Sequence, residues 1–166
     1  MSSNSRVTNI VFAGLGGQGV LKASDIAAAA AFRAGFDVKK SELHGMSQRG
    51  GSVTSDVRYG QRVQSPMVPP GEAEFLVVIA PDQVEVNRWQ LRGDGKLIDA
   101  TMIDQGALPN KKALNVALLG ILSVLLDIPE ECWIEAIREN LPEKLHQANF
   151  AAFSTGRQIA RTEFKP

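Results

Sequence analysis

The sequence predicts an α/β fold, a single three-layer domain over residues 1–166 with helices flanking a mostly parallel sheet that includes an antiparallel hairpin. Three observations carry that prediction. Short β-branched apolar runs alternate with helical segments along the chain. The first run is closed by glycines that lead into an alanine-rich helix. The 166 residues are 44% hydrophobic and 22% charged, which suits a soluble domain able to bury one core without disulfides or metals.

Residues 7–13, VTNIVFA, form the first strand, and residues 20–34, VLKASDIAAAAAFRA, the first helix, with Ala23, Ile26, Ala27 and Ala30 at helical spacing and Gly35 as its stop. Residues 36–43 read as a second strand. Residues 44–51, HGMSQRGG, are too polar and glycine-rich for regular structure and form a loop. Residues 52–59 alternate Val53, Ser55, Val57 and Tyr59 with polar neighbours, a half-exposed strand. Gly60 and Gln61 then turn the chain into residues 62–64, which makes this pair the antiparallel hairpin. Residues 65–71 carry three prolines and form a loop, and residues 75–80, FLVVIA, are a buried strand. A short helix follows over residues 83–91, starting from Asp82, then a strand over residues 96–100. Leu114, Ala117, Leu118, Ile121, Leu122 and Leu125 share one helical face, while Val116, Leu119 and Val124 make the rest apolar. Such a helix either runs through the core or forms a subunit interface. Residues 130–140 form an amphipathic helix behind Pro129, and Pro142 opens a last helix that contains His146, Phe150, Phe153 and Ile159. This strand and helix order is that of a Rossmann-like core.

Composition excludes several functions. Lys plus Arg and Asp plus Glu are equal at 18 each, so no net charge draws the chain to nucleic acid or to a membrane surface. No apolar run has the ~20 residues a bilayer requires, and residues 1–6 lack a secretory leader, so the expected location is cytoplasmic. Cys132 is the only cysteine. One thiol cannot form an internal disulfide or ligate an iron–sulfur cluster, and within Glu130-Glu131-Cys132-Trp133-Ile134 it reads as a buried structural thiol rather than a reactive one. His44 and His146 have no carboxylate or cysteine at metal-ligand spacing, so no metal is expected. His44 is a candidate for proton transfer.

Two loops carry chemistry. The first strand feeds Gly14-Leu15-Gly16-Gly17-Gln18-Gly19 into a helix, a spacing that places unpaired N–H groups and the positive end of a helix dipole before an anion. On this reading Gly14 turns, Gly16 admits a ligand and Gly19 permits close helix packing; the alternative is a tight turn that only shapes packing or an interface. A dinucleotide would also need an acid near the end of the second strand, and Glu42 is the candidate. The P-loop Gly-Lys-Ser/Thr and the Gly-x-Ser-x-Gly elbow are absent. In the second loop, Ser47, Gln48, Arg49, Gly50 and Gly51 combine a fixed cation with hydroxyl and amide donors, which fits anion recognition or a solvated loop with a nearby carboxylate.

Together GLGGQGV and SELHGMSQRGGSV resemble the γ-type subunit or domain of the 2-oxoacid:ferredoxin oxidoreductases. The likeness is closest to the indolepyruvate and aryl-oxoacid members, in which it is the β subunit. Lys112 to Gly120, KALNVALLG, resembles the family's later Asn-containing helix, and the likeness spans residues 7–126. The resemblance implies oxidative decarboxylation of an aryl 2-oxoacid such as indolepyruvate to its acyl-coenzyme A. It implies thiamine diphosphate, magnesium and [4Fe–4S] clusters in a large partner subunit, a ferredoxin-type acceptor, and coenzyme A at the interface. This chain would bind no cofactor alone, in agreement with its single cysteine. Gly14, Gly16, Gly17, Gln18 and Gly19 would hold an anion or line the shared site, and Ser47, Gln48, Arg49, Gly50 and Gly51 would form the facing loop. The readings from other classes are an independent NAD or adenine-nucleotide module, motivated by Glu42, and a purely structural assembly subunit.

Overall fold

A computed structural model describes residues 6–44 and 51–164. Five strands, β1 (Val7–Leu15), β2 (Asp37–His44), β3 (Ser52–Gly60), β4 (Ala73–Val78) and β5 (Leu91–Asp99), form one sheet in the order β2-β3-β1-β4-β5. β1, β4 and β5 are mutually parallel, but β3 lies between β1 and β2 and runs antiparallel to both. The sheet is therefore mixed, with β3 the one reversed strand and two of its four pairings antiparallel. The sequence signal for β3 marks its place and is silent about its direction, because alternation indicates a half-buried strand whichever way it runs.

The antiparallel hairpin joins β2 to β3 through residues 45–51, not β3 to residues 62–64. Residues 61–71 instead cross one face of the sheet. Their path is held by two strand carboxylates that accept from backbone N–H groups, Asp37 from Val63 at 2.7 Å and Asp56 from Val68 at 2.9 Å.

Four helices, α1 (Val20–Arg33), α3 (Leu114–Leu125), α4 (Glu130–Asn140) and α5 (His146–Glu163), share the opposite face. They enclose Ile10, Phe12, Val57, Trp133 and Phe153 in the main core. Their alanines and glycines let them approach closely. The face crossed by residues 61–71 is covered only by that segment and the four-residue α2 (Val84–Asn87), over a smaller cluster of Val11, Ala13, Val68, Leu76 and Val78. The three layers are thus unequal, with the long helices all on one side. α3 proves to be a core helix: Asn115 through Ser123 are buried against this chain's own elements.

Boundaries differ from the local pattern where pairing overrides it. β1 continues through Gly14 to Leu15 because the ladder to β3 extends to Ser52. β5 begins at Leu91, ahead of its glycines, with a register irregularity opposite Ala73 and Phe75. The helix expected over residues 83–91 is a short α-turn between two 3₁₀ turns. The two sheet edges, β2 and β5, are rich in charge and glycine, DVKKSELH and LRGDGKLID.

Burial pushes the Asp56 carboxyl above its usual range, more than the Val68 N–H and the Arg58 cation pull it down. A folded-state pKa above the unfolded value means that the native state binds the proton more tightly. Its contribution is fully present below the unfolded pKa of ~3.9 and is lost as pH rises through the folded value. Asp56→Asn keeps the acceptor for Val68 and removes the charge. The variant's melting temperature at neutral pH is expected to equal or exceed wild type, with the gap shrinking on acidification; differential scanning calorimetry across pH checks this.

Candidate functional site

The carboxyl end of β1 delivers the chain into the glycine turn and then directly into α1. Gly17 and Gly19 take left-handed backbone, φ 88° and 83°, which side-chain-bearing residues rarely adopt. Gln18 closes the turn upon itself, its Oε1 accepting from Leu15 N–H at 2.8 Å. Its side chain therefore shapes the turn in this structure.

Gly14 is a strand residue rather than part of the turn. A Cβ there would lie 2.7 Å from Val20 Cγ2, so this glycine lets α1 pack on the sheet. The tight contact expected at Gly19 is made with α3: a Cβ would lie 2.5 Å from Asn115 Nδ2. Asn115 Nδ2 donates to the Gly19 carbonyl at 3.1 Å, and Asn115 Oδ1 accepts from Val116 N–H. The sequence places Asn115 in a helix and gives it no role. A contact across 96 positions leaves no local signal.

The first intrahelical bond of α1 runs from Ala23 N–H to the Gly19 carbonyl. The N–H groups of Val20, Leu21 and Lys22 therefore have no intrahelical acceptor. Among the described residues no side chain caps this end, and its first turn contains no carboxylate. It carries exposed Lys22 instead. A cation at a helix N-terminus is repelled by the dipole unless an anion joins it. Counting from Gly19 would have identified Lys22 in the sequence.

A cleft of about 280 Å³ opens here, lined by Leu15, Gly16, Gly17, Gly19, Val20, Leu21, Lys22, His44 and Val53. Gly16 N–H donates to the Gly51 carbonyl at 2.9 Å, clasping the glycine turn to the end of the second loop. The two loops singled out in the sequence thus meet at Gly16 and Gly51. Ser47, Gln48, Arg49 and Gly50 lie outside the described residues.

His44 ends β2 at the cleft, with Nε2 4.0 Å from Glu42 Oε2. The strand period puts residues two apart on one face, which makes this carboxylate–imidazole pair readable from sequence although metal-ligand spacing does not reveal it. Lys40 takes both Asp25 of α1 and, at 3.1 Å, Glu42 Oε1. Glu42 is therefore part of an ion-pair chain along the helix-facing side of β2. A ribose-binding acid needs its strand next to β1, and here β3 occupies that position. Among the described residues no cluster of three His, Cys, Asp or Glu side chains could hold a metal, and no helix is long and apolar enough to cross a membrane.

The profile of the pyruvate ferredoxin/flavodoxin oxidoreductase family matches residues 9–109 and 97–159. Indolepyruvate oxidoreductase subunit IorB of Thermococcus kodakarensis is 33% identical over 92% of this chain and 96% of its own. The subunit of the same name from Archaeoglobus fulgidus is 51% identical over 44% of this chain and 36% of its own. Two solved structures share the fold. The γ subunit of a keto/oxoacid ferredoxin oxidoreductase from Geobacter sulfurreducens superposes with TM-score 0.72 at 23% identity, covering 93% of this chain and 99% of that one. The 2-oxoglutarate:ferredoxin oxidoreductase of Magnetococcus marinus, solved with 2-oxoglutarate, coenzyme A and succinyl-CoA bound, gives TM-score 0.80 at 20% identity. That likeness covers 97% of this chain, which spans about a third, 32%, of the larger one. Because the family match runs through both loops and on into α5, beyond the residues 7–126 of the sequence resemblance, the chain belongs to the pyruvate ferredoxin/flavodoxin oxidoreductase family.

Proposed function

We propose that this chain is the small subunit of a 2-oxoacid:ferredoxin oxidoreductase of the indolepyruvate type, and that its glycine turn and α1 N-terminus hold an anionic group of coenzyme A at the face shared with a catalytic subunit. In the overall reaction the bond between the 2-oxo carbon and the carboxylate breaks and carbon dioxide leaves. The acyl group forms a thioester with coenzyme A, whose thiol proton is released, and the electron pair passes to a ferredoxin-type acceptor. Thiamine diphosphate, magnesium and the clusters belong to the large partner in this reading. With one cysteine, this chain could not ligate a four-thiolate cluster alone.

The observation that carries the reading is the first turn of α1, uncapped among the described residues, whose Val20, Leu21 and Lys22 line a cleft with no carboxylate among its described lining. Its chemistry fits the phosphates of coenzyme A. Gly16 and Gly17 let the backbone approach the ligand, and the Gly16 N–H holds the Gly51 carbonyl beside the turn. The named function of the relatives supports the reaction class.

Lys22→Glu tests the site in enzyme reconstituted with its catalytic subunit. The expected result is a KM for coenzyme A raised roughly tenfold, equivalent to about 1.4 kcal/mol, with kcat little altered and the circular dichroism of wild type. The isolated 17.9 kDa chain should show no turnover. An unchanged KM would remove the anion site from the proposal, and turnover by the isolated chain would remove the subunit role.

A further inference from the structure

The face of the sheet that lacks long helices carries two arginines outside any ion pair of the described residues, and exposed apolar side chains. Arg58 of β3 is fixed in place, its Nε donating to Asn9 Oδ1 and its Nη1 to the Ser65 carbonyl, both at 2.8 Å. Exposed Arg62 stands with it in a cleft of about 340 Å³ whose remaining lining is Val7, Gln64 and Ser65. Across the ladder Lys39 lies directly opposite Arg58, a like-charge pairing that weakens a sheet unless a counter-charge joins it.

Neither arginine forms an ion pair among the described residues. Residues 1–5 and 45–50 contain no aspartate or glutamate that could supply one. Of the carboxylates on the same face, Asp37 accepts from the Val63 N–H and Asp56 from the Val68 N–H, and Asp56 also feels the Arg58 cation two residues along β3. Exposed apolar side chains also occur along the covering segment and beyond it. Met67, two residues beyond Ser65, is 64% exposed, and Val86 and Trp89, one helical turn apart, are 59% and 62% exposed. Trp89 belongs to the segment that packs beside Gly71, the end of the same covering loop.

We infer that this face is the seat of the catalytic partner subunit, whose surface offers carboxylates to Arg58 and Arg62 and an apolar recess to Trp89. The inference rests on the subunit role proposed above and adds a second contact, at the opposite end of β1 from the glycine turn. Large aromatic and arginine side chains are the anchors that interfaces favour, and charge complementarity selects an acidic partner surface. The fixed Arg58 guanidinium loses little freedom on pairing. Residues 61–71 and α2 cover the sheet thinly, so a subunit there would supply the missing outer layer.

The test measures the dissociation constant between this chain and its catalytic subunit by sedimentation at low and high salt. Arg62→Glu and Trp89→Ala are each expected to weaken binding at least about tenfold. Arg62→Lys should lose much less, and Lys144→Glu on the helical side should lose nothing. All four side-chain changes are at exposed positions and should retain wild-type circular dichroism. Wild-type affinity should fall with salt. If Arg62→Glu and Trp89→Ala bind as wild type does, the docking inference is overturned and the subunit role stands. If wild type fails to bind the catalytic subunit, both are overturned. Self-association of this chain that depends on Trp89 would assign the face to a second copy and overturn the inference.

Discussion

Gly156→Ala is expected to lower the melting temperature by roughly 2 to 8 °C, although alanine is the better helix former by about 1 kcal/mol. A Cβ at Gly156 would lie 1.9 Å from the Ala117 carbonyl oxygen, and one at Gly120 would lie 2.2 Å from that of Phe153. α3 and α5 cross with their backbones in contact at these two glycines. The blocking atoms are main chain inside helices, so no rotamer change relieves them. The helices must separate, opening a crossing that includes Phe153, Ala117 and Leu118 of the core. Overpacking of this kind costs roughly 1 to 3 kcal/mol and sometimes more, which exceeds the propensity gain. Gly93 in β5 has open space where a Cβ would stand, with no neighbouring atom within 4 Å, and serves as the control. Gly93→Ala is expected within about 0.5 kcal/mol of wild type. A Gly156→Ala protein that melts at or above wild type would show that the crossing can slide without loss.

Gly19→Ala is expected to cut turnover of the assembled enzyme at low coenzyme A by at least about tenfold. Two costs combine. Left-handed backbone at φ 83° costs an alanine on the order of 1 kcal/mol, and the new methyl meets Asn115 Nδ2 at 2.5 Å. Relief requires α1 to shift from its seat or Asn115 to release the Gly19 carbonyl, and either displaces the N–H groups that would hold the anion. Gly17→Ala separates these two costs, because φ 88° there is accompanied by open space. It should lose less activity than Gly19→Ala, and adding Asn115→Ala to Gly19→Ala should restore part of the loss. Equal losses in the two single variants would mean that backbone strain alone matters and that the contact with α3 does not. The readout is kcat/KM for coenzyme A, alongside melting temperature.

How far the sequence can be read depends on whether a feature is local. β1, β4 and the N-terminal end of α1 are legible because β-branched runs, glycines and an alanine-rich helix act within a few residues. α3 is legible as a buried helix since Val116 and Leu119 make even its second face apolar. The direction of β3 is not, because Val53, Val57 and Tyr59 alternate identically in either sense. The reach of β2 to His44 is also lost beneath a polar sequence whose strand state depends on pairing with β3. At the site, the glycine turn and the second loop can be found from spacing, and the fold joins them at Gly16 and Gly51. Asn115 cannot be linked to Gly19 without the fold. Gln18, expected to face a ligand, is held by the Leu15 N–H, a closure available to any glutamine placed three residues beyond a strand's last residue.

The charged edges of the sheet restrict how the molecule can associate. Strand addition requires an outer strand with free main-chain groups and little local charge. β2 presents Asp37, Lys39, Lys40 and Glu42 in close succession, and β5 interrupts its outer length with Arg92, Asp94 and two glycines. Neither border is a good template for an incoming strand, from a neighbour or from a misfolded copy. Growth into a continuous ribbon is thus discouraged at both ends of the sheet, and assembly is directed to broad surface contact, where side-chain shape and charge can distinguish the right subunit from every other.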